Sequence, residues 1–218
     1  MDADRAVDEL KVIRQLMERP VRYSTMSGLS GIFAGIVALA GLAADFAICP
    51  YGGVGMWFAN VAVWGCVFLV ALAATFGLTR FRERRQGMPF WSPIKTRILK
   101  TIMPHFVAAV GLTAAIMYGW YATKILHTHS WPDESHLIPA LWMIFYGIAC
   151  WQVGEFSVVE MRVMGAAFVL AGLATAAFCQ FRVPFDLCYN YAPYWTLGIT
   201  FGGFHIIYGL VVRIRHGG

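Results

Sequence analysis

The stretch RFRERRQGMPFWSPIKTRILK, residues 80–100, orients the whole chain because it lies between two long apolar segments. It holds a single acid, Glu83, and seven basic residues: Arg80, Arg82, Arg84, Arg85, Lys95, Arg97 and Lys100. An excess of Lys and Arg keeps a short loop between membrane spans in the cytoplasm. We therefore expect residues 80–100 to form a basic cytoplasmic loop that sets the direction of both neighbouring spans.

The composition is that of a membrane protein. Of the 218 residues, 59% are hydrophobic and 13% are charged, whereas soluble domains have about 45–50% apolar and about 25% charged residues. The net charge of +5 does not indicate a nucleic-acid partner, because the basic residues flank apolar segments instead of forming one charged face. The expected surroundings are therefore a lipid bilayer, with no nucleic acid bound.

Six apolar segments follow the first 23 residues, and each is close to the roughly 20 residues that a helix needs to cross a bilayer. Lipid offers the backbone no hydrogen-bond partner, so each segment must be a helix. The predicted fold class is all-α, a polytopic membrane protein with six transmembrane helices in the domain 24–212. The segments are residues 24–46, 54–78, 102–121, 137–153, 163–181 and 194–212.

Both termini are predicted to lie in the cytoplasm. This arrangement places all of the 17 Lys and Arg residues except Lys124 and Arg182 on the cytoplasmic side, as the positive-inside rule requires. Residues 213–218 are then a cytoplasmic tail. Residues 1–23 are expected to form a cytoplasmic amphipathic segment, because apolar positions recur there at helical spacing up to Pro20. That segment either lies against the inner membrane face or docks a cytoplasmic partner.

Small residues line one face of the first apolar segment, and Gly31 and Gly35 are among them. Glycines four residues apart let two helices approach closely. The neighbour is either another helix of the same chain or a second protein, as a partner or as a copy in a homo-oligomer. We favour the first alternative, because six helices need internal contacts in any case.

Ionisable groups inside the spans are the natural candidates for function, because charge within a bilayer is costly. His105 and His205 are predicted at similar depths from the cytoplasmic face, and Gln152, Glu155 and Glu160 approach from the same side. Together they predict an inward-facing polar pocket, suited to a proton-linked step, a metal or, through two histidines, haem b. The alternative is that the histidines hydrogen-bond neighbouring helices and the glutamates face solvent.

The connection between the third and fourth apolar segments is rich in side chains that ligate metals. Imidazole and carboxylate both bind divalent transition metals, so this loop is a candidate metal site. The alternative is an ordinary proline-containing turn, since the spacing matches no recurrent metal motif. The candidate ligands are His127, His129, Asp133, Glu134 and His136.

The chain has five cysteines. Cys49 and Cys188 belong to outer connections, where an oxidising compartment would allow a disulfide between them. Cys66 and Cys150 lie within spans and are expected to behave as small apolar residues. The sequence has no Cys-x-x-Cys pair, no phosphate-binding loop and no His-Glu-x-x-His motif, which removes the familiar enzyme classes that depend on them.

Two stretches carry a resemblance to a known group of proteins. Residues 14–31, RQLMERPVRYSTMSGLSG, and residues 142–147, WMIFYG, with the Glu155-Phe156-Ser157 that follows, resemble uncharacterised bacterial six-span inner-membrane proteins. The resemblance implies the six-span fold and a multi-pass location in the bacterial inner (cytoplasmic) membrane. That group has no assigned activity, so no catalytic residue is carried over.

Three classes of function are compatible with these observations. Sparse polarity within the spans and charged ends favour a non-enzymatic subunit or a regulatory membrane protein. The predicted polar pocket suits a transporter of small solutes or ions. The two histidines, or a divalent metal, suit a haem-binding protein or another membrane enzyme. The first class is the one we favour.

Overall fold

The computed structural model describes residues 28–48, 57–85, 87, 91–126, 137–180 and 186–216. These residues form helices and contain no β-strand. The predicted amphipathic segment 1–23 lies outside the described residues. The helices are α1 (Gly28–Ile48), α2 (Trp57–Arg85), α3 (Pro93–Leu126), α4 (Ile138–Val153), α5 (Val159–Gln180) and α6 (Asp186–His216).

Five of these helices, α1, α2, α3, α5 and α6, are long and apolar enough to cross a membrane. The exception is α4, an apolar helix of 16 residues, which is about 24 Å long at the rise of an α-helix. The predicted helical membrane protein is therefore confirmed. The short helix α4 is also the most enclosed: Met143 has no exposed surface, and its neighbours Cys150 and Val153 are buried with it.

Helices α1 and α6 pack together through glycines, which explains the small-residue face of the first span. A Cβ atom added to Gly35 would lie 2.6 Å from the carbonyl oxygen of Gly202, and one added to Gly31 would lie 3.1 Å from the Cα of Gly209. No real Cβ tolerates the first of these distances. The favoured alternative, packing within the chain, is confirmed at these residues, and a protein partner or second copy on this face stays a prediction.

Helices α4 and α5 form a hairpin that also packs through glycines. A Cβ atom on Gly147 would lie 2.6 Å from the carbonyl oxygen of Gly165, and one on Gly172 would lie 2.9 Å from that of Ala140. Close approach of the two backbones buries Phe168 completely, and this ring joins a core that includes residues of α4 and α6. Glycine at these positions is thus required by contact between the helices.

The described part of the basic stretch 80–100 is largely helical, and its predicted place in the cytoplasm stays a prediction. Helix α2 continues to Arg85, a turn follows at Gly87 with a φ of 67°, and α3 begins at Pro93. The Ser92 hydroxyl accepts a hydrogen bond from the Lys95 backbone N–H at 3.5 Å. Serine before the first turn and proline at its first position both favour a helix start. Arg and Lys are good helix formers, so the basic residues extend the two helices.

The basic residues of separate helices meet at one end of the bundle, which we call the basic end. There Arg97 of α3 lies 5.1 Å from the ring centroid of Phe156 in the α4–α5 turn. Arg215 of α6 lies 3.2 Å from the Glu160 carboxylate at the start of α5. Residues 213–216, predicted as a tail, continue α6 at this end.

Candidate functional site

A cavity of about 130 Å³ lies between α2, α3, α4, α5 and α6; we call it the central cavity. Its polar lining consists of His105, Tyr146 and Cys150, and the rest is apolar. Aromatic side chains make up much of its wall, and the rings are Phe68, Phe106, Trp142, Phe145, Tyr146 and Phe201.

His205 of α6 is buried beside this cavity, and its two ring nitrogens are both used. Its Nδ1 lies 2.8 Å from the carbonyl oxygen of Phe201, one turn earlier. Because a carbonyl can only accept, Nδ1 carries the proton, and Nε2 must be an acceptor. The Tyr146 hydroxyl donates to that Nε2 at 2.6 Å. His205 therefore connects α6 to α4 through a hydrogen bond that crosses the interior of the bundle.

Cys150 lies one turn further along α4 and lines the same cavity. The result is a continuous series of hydrogen bonds from Tyr146 through His205 to the carbonyl oxygen of Phe201. The ring of Phe168 covers this series, with its centroid 5.0 Å from that of Tyr146 and 5.6 Å from that of His205.

His105 of α3, like His205, hydrogen-bonds a backbone carbonyl oxygen through Nδ1, but the surroundings of its Nε2 differ. Its Nδ1 lies 3.0 Å from the carbonyl oxygen of Thr101, so Nδ1 is the donor and Nε2 is left as an acceptor. Among the described residues, no group donates a hydrogen bond to this Nε2. His105 is one of the residues that line the central cavity.

The predicted polar pocket is assembled in part. His105 and Tyr146 line one cavity, and Tyr146 holds His205, so the two histidines belong to one site. The other members do not line it. Gln152 is exposed, and the Glu155 carboxylate pairs with Arg162 at 2.8 Å.

Glu160 is likewise engaged outside the cavity. Its carboxylate lies 3.2 Å from Arg215 and 3.4 Å from His216, both on the last turn of α6. The physical reason is position: Glu155 and Glu160 flank the α4–α5 turn at the basic end, where arginines of neighbouring turns reach them. Both glutamates thus bind arginine instead of facing the histidines.

Two of the predicted cofactor arrangements can be compared with this geometry. A haem between the two histidines would need the Nε2 atom of each as a ligand, but His205 Nε2 already accepts the Tyr146 proton. The central cavity is also smaller than the roughly 300–1,000 Å³ of ordinary ligand pockets. The described residues contain no group of three or more His, Cys, Asp or Glu that could hold a metal ion.

The remaining candidate residues fall outside what the structure describes. The outer metal site, with His127, His129, Asp133, Glu134 and His136, lies wholly in the range 127–136 between α3 and α4. Cys49 and the side chain of Cys188 are outside it too, so their disulfide stays a prediction. Within the described part, Cys66 and Cys150 are free thiols, one exposed and one buried.

A second polar cluster, missed as a unit from the sequence, lies between α1 and α2. Asp45 and Asn60 are both buried, each with 7% of its surface exposed. The Trp64 indole approaches the Asp45 carboxyl group without reaching hydrogen-bond geometry, and Asp45 Oδ1, Asn60 Oδ1 and Trp64 Nε1 have no hydrogen-bond partner. Asn60 and Trp64 are four residues apart and therefore lie on one face of a helix. This spacing is the feature of the sequence that could have predicted their proximity.

Comparison with protein-family models, curated proteins and solved structures finds no match to this chain. Function is therefore inferred from the arrangement of the residues themselves.

Proposed function

We propose that this protein is a non-enzymatic subunit or regulatory protein of the bacterial inner membrane, with six transmembrane helices and both termini in the cytoplasm. The observation that carries the proposal is the pairing of three acidic groups at the basic end. Three glutamates, Glu83, Glu155 and Glu160, each form an ion pair with a basic side chain at the basic end. A transporter that used an inward-facing acidic pocket would need these carboxylates turned toward the cavity.

The ion pairs have a clear structural role. Glu83 of α2 is buried, and its carboxylate lies 2.6 Å from the Lys95 ammonium group of α3. Glu160 joins α5 to Arg215 of α6 at 3.2 Å. These two pairs each connect two helices at the basic end, where a bilayer would place its headgroups, and the Glu155–Arg162 pair joins the α4–α5 turn to α5. None of the paired residues lines the central cavity. These contacts suit a rigid bundle that presents a basic surface to the cytoplasm.

The gathering of basic side chains at the basic end supports the proposed topology. The starts of α3 and α5 and the end of α6 bring Arg97, Arg162 and Arg215 there, so one membrane face receives the positive charge. Helix α4 is shorter than a span that faces lipid, but its buried neighbours replace lipid around much of it. We therefore count it as the fourth of six spans.

A non-enzymatic role agrees with the hydrogen bonding of His205. His205, the one histidine held by a second side chain there, uses both nitrogens in structural hydrogen bonds. A general base needs a nitrogen within reach of a proton that it removes. The arrangement instead ties α6 to α4.

Helix α2 supports the role of a subunit. None of the residues in its most apolar stretch is buried within the chain, and Leu69 and Leu72 have 63% and 49% of their surface exposed. Lipid or a partner helix must cover this face in the membrane. For a subunit, we expect a partner helix to cover part of it.

The test is site-specific photocrosslinking in native membranes. A crosslinking amino acid at Leu72 should yield a protein adduct of one defined mass. The matched control is Leu170 of α5, which is as apolar and 68% exposed and should yield lipid adducts alone. Lipid adducts alone at both positions would contradict the subunit proposal. Proton flux into proteoliposomes that disappears in His205→Phe would favour the transporter instead.

A further inference from the structure

We propose that the central cavity is a binding site for a single-ring aromatic molecule that donates a hydrogen bond, a phenol, with His105 Nε2 as the acceptor. This inference goes beyond the role of a membrane subunit and does not depend on it. It rests on three features of the cavity: its volume, its aromatic wall and its unpaired acceptor.

The volume sets the size of the ligand. The cavity measures about 130 Å³, and an engineered apolar cavity of about 150 Å³ in another protein stays dry and binds benzene. One six-membered ring with a small substituent is therefore the expected occupant. A larger ring system does not fit without movement of the helices.

The wall favours an aromatic occupant. The ring centroids of Phe68 and Phe106 are 4.8 Å apart, and those of Phe106 and Trp142 are 5.4 Å apart with the planes at 78°. The second pair has the edge-to-face geometry that aromatic rings prefer, and both centroid distances lie in the preferred range of about 4.5–7 Å. Trp142 is held in place, because its indole N–H donates to the Thr113 hydroxyl at 3.0 Å. A guest ring would extend a set of rings that is already ordered.

The polar groups determine the substituent. His105 Nδ1 is committed to the Thr101 carbonyl, so in the neutral imidazole its Nε2 is an acceptor. The proton of the Tyr146 hydroxyl is committed to His205. The cavity therefore offers acceptors, and a matching guest must donate. A neutral hydroxyl meets this need, whereas an ammonium group would lose its hydration among aromatic rings for a single acceptor.

The experiment is ¹⁹F NMR titration of the whole protein in lipid nanodiscs, with 4-fluorophenol as the probe. The matched ligand is 4-fluorotoluene, which has nearly the same shape and no donor. Empty nanodiscs give the membrane partition of each compound, which is subtracted. Two variants fill the cavity from different helices, Ala109→Phe on α3 and Ala149→Leu on α4, since both alanines line it. His105→Phe removes the acceptor and keeps the ring.

We expect saturable binding of 4-fluorophenol, about fivefold tighter than that of 4-fluorotoluene, because one neutral hydrogen bond contributes about 1 kcal/mol. His105→Phe should remove this difference. A cavity-filling variant that elutes as a single folded species should bind neither compound. Binding that survives in a folded filled variant, equal binding of both probes, or no saturable signal with either would overturn the proposal.

Discussion

The hydrogen bond between Tyr146 and His205 is predicted to stabilise the bundle measurably. Tyr146→Phe removes the donor and leaves His205 Nε2 buried among aromatic rings without a partner. An orphaned buried acceptor costs about 1–3 kcal/mol. In membrane proteins the measured couplings average about 0.6 kcal/mol and reach about 1.7 kcal/mol, because the unfolded helices also find partners. For a bond of 2.6 Å we expect a loss of about 1–2 kcal/mol in the free energy of unfolding.

A double-mutant cycle separates the hydrogen bond from other effects. Unfolding in mixed micelles is followed by circular dichroism for Tyr146→Phe, His205→Phe and the double variant. The coupling energy should be about 1 kcal/mol, since neither single variant retains the bond. Tyr118→Phe is the matched control: Tyr118 is 73% exposed, and loss of its hydroxyl should change stability by less than about 0.5 kcal/mol.

The outcome that would refute the reasoning is a coupling energy indistinguishable from zero. Tyr146 and His205 would then contribute independently, and the hydrogen bond would not hold α4 to α6. An effect of Tyr118→Phe equal to that of Tyr146→Phe would lead to the same conclusion, because it would show a general cost of losing a tyrosine hydroxyl.

Two further substitutions test the packing and the ion pairs. Gly35→Ala should lower the free energy of unfolding by about 1–3 kcal/mol, because its Cβ would lie 2.6 Å from the Gly202 carbonyl oxygen. Gly111→Ala is the control: nothing lies within 4 Å of its added Cβ, so stability should be unchanged or improved. Equal midpoints of the two variants in thermal unfolding would refute this. Glu83→Gln should lower the free energy of unfolding by about 3–5 kcal/mol, because its lysine partner stays largely buried. Glu155→Gln removes a half-exposed pair and should lower it by less than about 1 kcal/mol. Similar losses in the same unfolding assay would contradict the burial argument.

The sequence predicted the helical elements well because their signals are local. Long apolar runs require helices in lipid, and glycines four residues apart predicted the close approach that α1 makes to α6. The cytoplasmic connection at residues 80–100 stays a prediction, and helix ends make up much of it. Arg and Lys are compatible with helix, so α2 extends to Arg85 and α3 begins at Pro93.

The candidate site was predicted in part. His105 and His205 were chosen because they are ionisable groups inside spans, and both belong to the region of the central cavity. Tyr146, which binds His205 and lines the cavity with His105, gives no such signal, because a tyrosine in a span is ordinary. Glu155 and Glu160 were assigned to the pocket by depth alone, and depth does not say toward which side of the helix a carboxylate turns.

The sequence by itself determined that this is a helical membrane protein whose apolar segments end in basic residues. Both features can be read from neighbouring residues in the chain, because hydropathy and charge are local properties. Only the tertiary structure decided which polar groups meet. Tyr146 and His205 are 59 residues apart, and Glu160 and Arg215 are 55 apart. Such pairs depend on the rotation and register of packed helices, which glycine contacts such as Gly147 with Gly165 set at the level of single atoms.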